Sequence, residues 1–299
     1  MSSVAIVGPG RMGLSLASAL ARSDALREVV VFGRHPEPPS HPVFSEAAVR
    51  YVFGLEPLAA DTAAVLLTVP DGAVPEIAYH LAERGDAPDG CAAFHLSGTL
   101  PTDVLEPLHR RGYGVGSFHP LVVLTDPDGA AARFAGGFVA VTAAPGPFRT
   151  AVALAEALGM EVFAIPAARR PLYHAAVTLV ESAVVPVVAR AAELLERAGV
   201  DADDALPAVV SLARGSLTSL VEGGVAEAGG GVRGRADAET VALHLRALDP
   251  GDQRLYVAFT RELIHLTDAV AGGAPDAERA EVEALLAPHL TLEPTGAGG

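Results

Sequence analysis

Val4, Ala5, Ile6 and Val7 are apolar without a polar interruption, the pattern of a parallel strand covered on both faces. The run passes straight into Gly8, Gly10 and Gly13, after which Leu14, Ala17, Leu20 and Ala21 recur at helical period. This alternation of apolar runs and amphipathic segments continues to residue 165. It predicts strands at 4–7, 28–32, 63–69, 91–96, 114–118, 138–142 and 161–165, with helices near 11–22, 73–84, 102–111 and 147–158. Such a pattern implies an α/β domain with a mostly parallel, doubly wound Rossmann sheet over residues 1–165. "PAARRP", residues 166–171, ends it. The remainder, 166–299, reads as an all-α domain with helices at 172–199, 203–222, 237–248, 253–271 and 277–287. The glycine-rich "EGGVAEAGGGVRGR" (222–235) is predicted to be a loop and "TLEPTGAGG" (291–299) a frayed tail.

The spacing of Gly8, Gly10 and Gly13 is G-x-G-x-x-G at a strand-to-helix turn, with Pro9, Arg11 and Met12 between the glycines. Glycine lets backbone approach a pyrophosphate, while the unpaired N–H groups and positive end of the helix face the anion. A NAD site would carry an acidic residue at the end of the second strand. Here "EVVVFGRHP" ends in Gly33, Arg34 and His35. A guanidinium at that place suits a 2′-phosphate, so the expected cofactor is NADP(H), unless Arg34 is a solvated loop residue. "TVPD" closes the third predicted strand: Val69 and Pro70 stand where a cofactor ribose packs, and Asp71 is read as a helix cap.

Composition narrows the chemistry. All 21 basic residues are arginine, so any Schiff-base lysine, lysine acid or Walker lysine is excluded. A formal charge of −15 argues against a nucleic-acid partner. Cys91, the single cysteine, sits in the apolar run "CAAFHL" and reads as core. With a strand opening at residue 4, and Glu181, Pro186 and Arg190 interrupting the greasiest helix, the expectation is a soluble cytoplasmic protein with no membrane partner. No metal-ligand spacing is present.

Proton donors must therefore come from other side chains. Histidine is the one with a suitable unperturbed pKa for donating to the oxygen or nitrogen left after hydride transfer. His119, in "SFHPL", ends a strand at the sheet edge, held extended by Pro120. His174, in "YHAAVTLVES", opens the helix after the linker, with Thr178 and Glu181 on the same face at one and two turns. Glu181 is expected to orient His174 or raise its pKa; alternatively Tyr173, His174 and Glu181 stitch the helix to the first domain. Ser97 and Gly98 follow a strand at the same edge, and Ser97 is either a donor to a nicotinamide carboxamide or substrate oxyanion, or the N-cap of the next helix. Arg233 and Arg235, in the glycine-rich segment, are candidates to clamp a substrate carboxylate or phosphate, or are plain surface residues.

The strings "TVPDGAVPEIA", "HLSGTLPTDVLEPL", "VGSFHPL", "LYHAAVTLVESAV" and "RADAETVALHLRAL", in this order and spacing, resemble the Rossmann-like NADP oxidoreductases with a C-terminal helical domain of unknown function. The plan also resembles the superfamily of 6-phosphogluconate dehydrogenase and pyrroline-5-carboxylate reductase. The resemblance implies hydride transfer to or from a small carbonyl or imine substrate bound between the two domains, and a homodimer through the helical domain. It places His174 where 3-hydroxyacid dehydrogenases carry a catalytic lysine, supports a substrate or cofactor role for Ser97, and matches Arg235 to the family's arginine. The absence of lysine leans toward the imine-reducing relatives. The chain departs from the family in having Glu181–Ser182 for Ser-Asn, and Gly230, Gly231 and Val232 for Thr-Gly-Pro. Those departures keep a second function open, a catalytically weak NADP(H)-binding regulatory or scaffold protein.

Overall fold

The computed structural model describes residues 2–124, 132–233, 238–271 and 277–289. It forms two compact units, Met1–Glu181 and Ser182–Gly299. In the first, the elements are β1 (Ser2–Val7), α1 (Arg11–Leu20), β2 (Leu26–Gly33), β3 (Val49–Phe53), β4 (Thr62–Leu67), α2 (Val74–Ala82), β5 (Ala92–His95), α3 (Glu106–His109), β6 (Gly114–Pro120), β7 (Phe138–Ala143), α4 (Pro145–Ala157) and β8 (Glu161–Ala164). All strands join one sheet in the order β3-β2-β1-β4-β5-β6-β7-β8. Pairing is parallel from β3 to β6, turns antiparallel between β6 and β7, and is parallel again between β7 and β8.

Each predicted strand of the first domain is present. The strand that periodicity missed, β3, is an edge strand in which Arg50 interrupts the apolar run and exposed Phe53 breaks the in-out alternation, so it carries neither strand signature cleanly. The unbroken apolar run of β1 has a direct cause. Val4 and Ile6 enter one core with Leu14, Leu16 and Leu20 of α1, and Ala5 and Val7 enter the opposite core with Val74, Ala78 and Leu81 of α2. Because β1, β4, β5 and β6 are parallel neighbours, their carboxyl ends lie along one edge, where ligands of open α/β sheets bind.

A long helix, α5 (Arg170–Arg197), begins in the first unit, whose limit falls within it at Glu181. The second unit holds α6 (Ala202–Arg233), α7 (Ala238–Ala247), α8 (Pro250–Ala271) and α9 (Ala277–Leu286). Its main core is Val241, Leu245, Val257, Ile264, Val282 and Leu286. The segment expected to be a loop from 222 is instead helical to Arg233, broken at Gly224, whose φ is 68°. Glycine costs a helix only about 1 kcal/mol and keeps its N–H, so a glycine-rich stretch without proline need not terminate one. The expected tail at 291–299 lies outside the described residues.

The interruptions in α5 also count for less than expected. Ala167–Arg197 is long and apolar enough to cross a membrane by length and composition, with mean hydropathy 1.6 and none of that window buried. Leu172, Leu179, Val180 and Val185 are exposed.

Candidate active site

The glycine turn is closed from below and open above. Gly8 has φ 110°, and a Cβ there would meet Val69 Cγ1 at 2.9 Å and the Thr68 carbonyl oxygen at 3.1 Å. A Cβ on Gly13 would overlap the Gly8 carbonyl oxygen and come within 2.7 Å of Thr68 Oγ1. Thr68 fixes the turn by donating to the carbonyls of Val7 at 3.0 Å and Gly8 at 2.7 Å. Gly10 differs: nothing lies within 4 Å of its Cβ position. It is the N-cap of α1, no side chain caps the helix, and the first-turn N–H groups lack intrahelical partners. Exposed Arg11 and half-buried Met12 follow it, and half-buried Pro9 precedes it. This donor set and the open face over Gly10 fit a pyrophosphate.

At the end of β2, Arg34 and His35 are exposed, with Arg34 Nε donating to His35 Nε2 at 3.3 Å. Gly33 is required beside them because the Tyr51 ring occupies its Cβ position, where Tyr51 Oη donates to the His35 carbonyl at 2.6 Å. Val69 and Pro70 continue from β4 on the same edge as Gly8, half-buried and exposed respectively.

Asp71 is not the helix cap expected of it. The N-caps of the turn at 71–73 and of α2 are Pro70 and Ala73, neither with a side-chain cap bond. The Asp71 carboxylate instead accepts from Ser97 Oγ at 2.6 Å and Thr99 Oγ1 at 3.3 Å. Ser97, buried, also accepts from the N–H groups of Thr99 at 3.1 Å and Leu100 at 3.0 Å. Its one proton and its lone pairs are committed to shaping the 97–100 turn. The 3₁₀ turn at 102–105 takes Pro101 as its N-cap, so Ser97 does not cap it.

The same turn carries Gly98 against two imidazoles. A Cβ on Gly98 would overlap His174 Cδ2, and would stand 3.0 Å from His174 Nε2 and 3.2 Å from His119 Cε1. The sheet edge and the start of α5 thus bring His119 and His174 together, ring centroids 6.3 Å apart. His119 Nδ1 is hydrogen-bonded to Tyr173 Oη at 2.5 Å, and their rings meet edge to face. Thr178 Oγ1 lies 3.4 Å from His174 Nδ1. Glu181 forms no hydrogen bond or ion pair with His174 among the described residues, which corrects its expected role. Seven residues' separation puts its Cα two helical turns, about 10 Å of rise, from that of His174. Thr178 and Glu181 are exposed on α5.

Beneath this cluster lies a residue that sequence reasoning missed. Arg170 is 2% exposed, and its guanidinium donates to the carbonyls of Ser97 at 2.6 Å and Leu100 at 3.1 Å and to Thr142 Oγ1 at 3.1 Å. It pins α5 to the 97–100 turn. "ARR" offered two arginines and no local sign of which would be buried; Arg169 is exposed. Tyr173 stands one turn along from Arg170 on the same helix.

Burial sets the protonation states. It pushes His119 down to about 4, reinforced by His174 and Arg170 and opposed by Asp71. Fully buried His95 is likewise pushed down to about 4, by burial first and then Arg170. Neither of its ring nitrogens makes a hydrogen bond of good geometry, and a weak interaction with the Pro101 carbonyl only partly offsets the burial. Burial raises Tyr173 to about 12 and the Cys91 thiol to about 12, so Cys91 is a core side chain and no nucleophile. Arg235 lies outside the described residues, as does the side chain of Arg233.

A Rossmann-like domain model matches residues 1–120, and the domain of unknown function DUF2520 matches 138–263. No curated protein matches the sequence. Among solved structures, protein TM1727 from Thermotoga maritima has TM-score 0.67 at 16% identity, covering 90% of this chain and 99% of that one. BF3122 from Bacteroides fragilis, provisionally assigned as an NADP oxidoreductase, has TM-score 0.60 at 22% identity, covering 88% and 97%. The pyrroline-5-carboxylate reductase of Coxiella burnetii has TM-score 0.62 at 13% identity, covering 96% and 97%. With both domain models matched in sequence and the glycine turn formed between β1 and α1, the chain belongs to the Rossmann-like proteins that carry a DUF2520 domain.

Proposed function

We propose that the protein is an NADP(H)-dependent oxidoreductase that moves hydride to or from a small carbonyl or imine substrate at the carboxyl edge of the sheet. The observation that carries this reading is the asymmetry of the glycine turn, sealed at Gly8 and Gly13 and open at Gly10 over the N-terminus of α1. Gly8, Pro9, Gly10, Arg11, Met12 and Gly13 would hold the pyrophosphate, Arg34 the 2′-phosphate, and Val69 with Pro70 the ribose. When bound, the nicotinamide supplies or accepts the hydride. The chain's own residues then position substrate and handle a proton: Gly98 gives close backbone approach, His119 and His174 flank it, and Ser97 holds the turn. The solved NADP-linked oxidoreductases of the same fold support the assignment. The substrate contacts proposed for Thr178, Glu181 and Arg235 complete the reading. Calorimetry with NADPH and NADH tests it; tight NADPH and weak NADH binding is expected, and equal affinities overturn the cofactor choice.

The same reading includes a homodimer in the cytoplasm. The exposed apolar surface of α5 needs cover, and its first turn is anchored in the sheet unit by buried Arg170, which suits a second copy better than a bilayer. Should NADPH bind tightly while no carbonyl or imine turns over, the regulatory alternative takes its place.

A further inference from the structure

We propose that Tyr173 and His119 form a neutral donor pair, phenol to Nδ1, presenting the His119 Nε2–H to a carbonyl oxygen, so that the substrate is a carbonyl or its alcohol rather than an imine. The proposal rests on the oxidoreductase reading and narrows it.

The geometry is specific. Tyr173 Oη meets His119 Nδ1 at 2.5 Å across 54 residues of chain, and Phe163 backs the tyrosine ring edge-on with centroids 6.2 Å apart. No hydrogen bond engages His119 Nε2 among the described residues. A phenol is a stronger acid than a neutral imidazole N–H, and an imidazole nitrogen a stronger base than a phenol oxygen, so the short bond runs from Oη–H to Nδ1. A neutral ring that accepts at Nδ1 carries its proton on Nε2. Neutrality of both partners follows from burial, which holds His119 near 4 and Tyr173 near 12. A neutral imidazole is an established way to polarise a carbonyl.

The charges facing the pair choose the substrate atom. Arg170 makes its hydrogen bonds to Ser97 O, Leu100 O and Thr142 Oγ1, all neutral acceptors, so no contact carboxylate cancels it. His174 adds to the positive side when protonated, and Asp71, shared between Ser97 and Thr99, opposes it. Arg170 outweighs Asp71 at both His119 and His95. A field of that sign disfavours a protonated imine and favours oxygen gaining negative charge. As the carbonyl carbon takes hydride, its π pair moves to oxygen and oxygen takes the Nε2 proton. The Nε2–H pair returns to the ring and Nδ1 takes the phenol proton; the pair resets when Nε2 takes a proton from solvent and Nδ1 returns its own to the tyrosinate, which Arg170 eases meanwhile.

The test uses full-length protein, NADPH, a panel of aldehydes, ketones and 2-oxo acids, and cyclic imines including 1-pyrroline-5-carboxylate. Turnover is expected with a carbonyl and not with an imine. Tyr173→Phe, which keeps the ring packing, should lower kcat roughly 10²-fold while leaving KM and NADPH affinity within about twofold. ¹⁵N-histidine spectra without substrate should show the Nε2–H tautomer for wild-type His119, and Tyr173→Phe should release it. Turnover of imines alone, an Nδ1–H tautomer in wild type, or full activity in Tyr173→Phe overturns the proposal. Failure of NADPH to bind, or binding with every carbonyl and imine inert, overturns the parent reading, whereas turnover of imines with every carbonyl inert overturns this proposal alone.

Discussion

The glycine turn and the histidine cluster lie along one edge of one sheet but are built by different means. The turn is local: Gly8, Gly10 and Gly13 fall within six residues, and two adjacent side chains from the end of β4, Thr68 and Val69, seal it. The cluster is assembled from β5, β6 and the start of α5, so Gly98, His119 and His174 meet only because strand order places them together. A local site is fixed by backbone geometry and tolerates little. An assembled site depends on anchors such as Arg170, which binds nothing itself yet sets where α5 begins.

The sharpest way to break this comparison is within the turn. Gly13→Val should destabilise the protein by about 3 kcal/mol or more, because its side chain meets backbone that cannot yield. Gly10→Ala, in open space, should leave the melting temperature nearly unchanged yet weaken NADPH binding at least roughly tenfold, since the methyl group intrudes on the phosphate face. Thermal melts paired with calorimetry check both. Equal loss of stability in the two variants would erase the division between a structural glycine and a ligand glycine.

The assembled region should show itself in acid. His95 is held neutral, its pKa near 4 in the fold against an ordinary 6.5. Below pH 6.5 the unfolded chain takes up a proton that the fold refuses, so stability is full above that value and falls as pH drops toward 4. The loss should reach about 2–3 kcal/mol for this residue. Urea melts between pH 7 and 4.5 measure it together with the like contribution of His119, and His95→Leu should reduce the slope by about half. A wild-type stability independent of pH over this range would mean that the buried ring finds a partner.

Comparable or smaller is the contribution of Arg34. Arg34→Ala should weaken NADPH binding by about 1.5–3 kcal/mol and leave NADH nearly unaffected, the range of a charge-assisted hydrogen bond. Last comes the contrast within α5, between its anchored start and its exposed flank. Light scattering at micromolar concentration should give a dimer mass, and Val180→Asp with Val185→Asp should shift it toward monomer while the Rossmann unit keeps its NADPH affinity. A monomeric wild type removes the second copy from the proposal.

Much of this protein is determined by sequence alone, because the relevant physics acts over short stretches. Continuous apolar runs mark strands covered on both faces, and the glycine spacing marks a turn where the φ of Gly8 and the close contacts at Gly8 and Gly13 admit only glycine. Tertiary structure decided the rest. β3 is an exposed edge, visible only once β2 is there to pair with it. Asp71 satisfies Ser97 from 26 residues away, and Glu181, on the expected face, makes no bond to His174 among the described residues, two helical turns or about 10 Å of rise separating them. Arg170 and Arg169 are identical as letters. One is buried and holds three acceptors while the other faces solvent, since a helix turns about 100° per residue and only the packed sheet determines which of the two points inward.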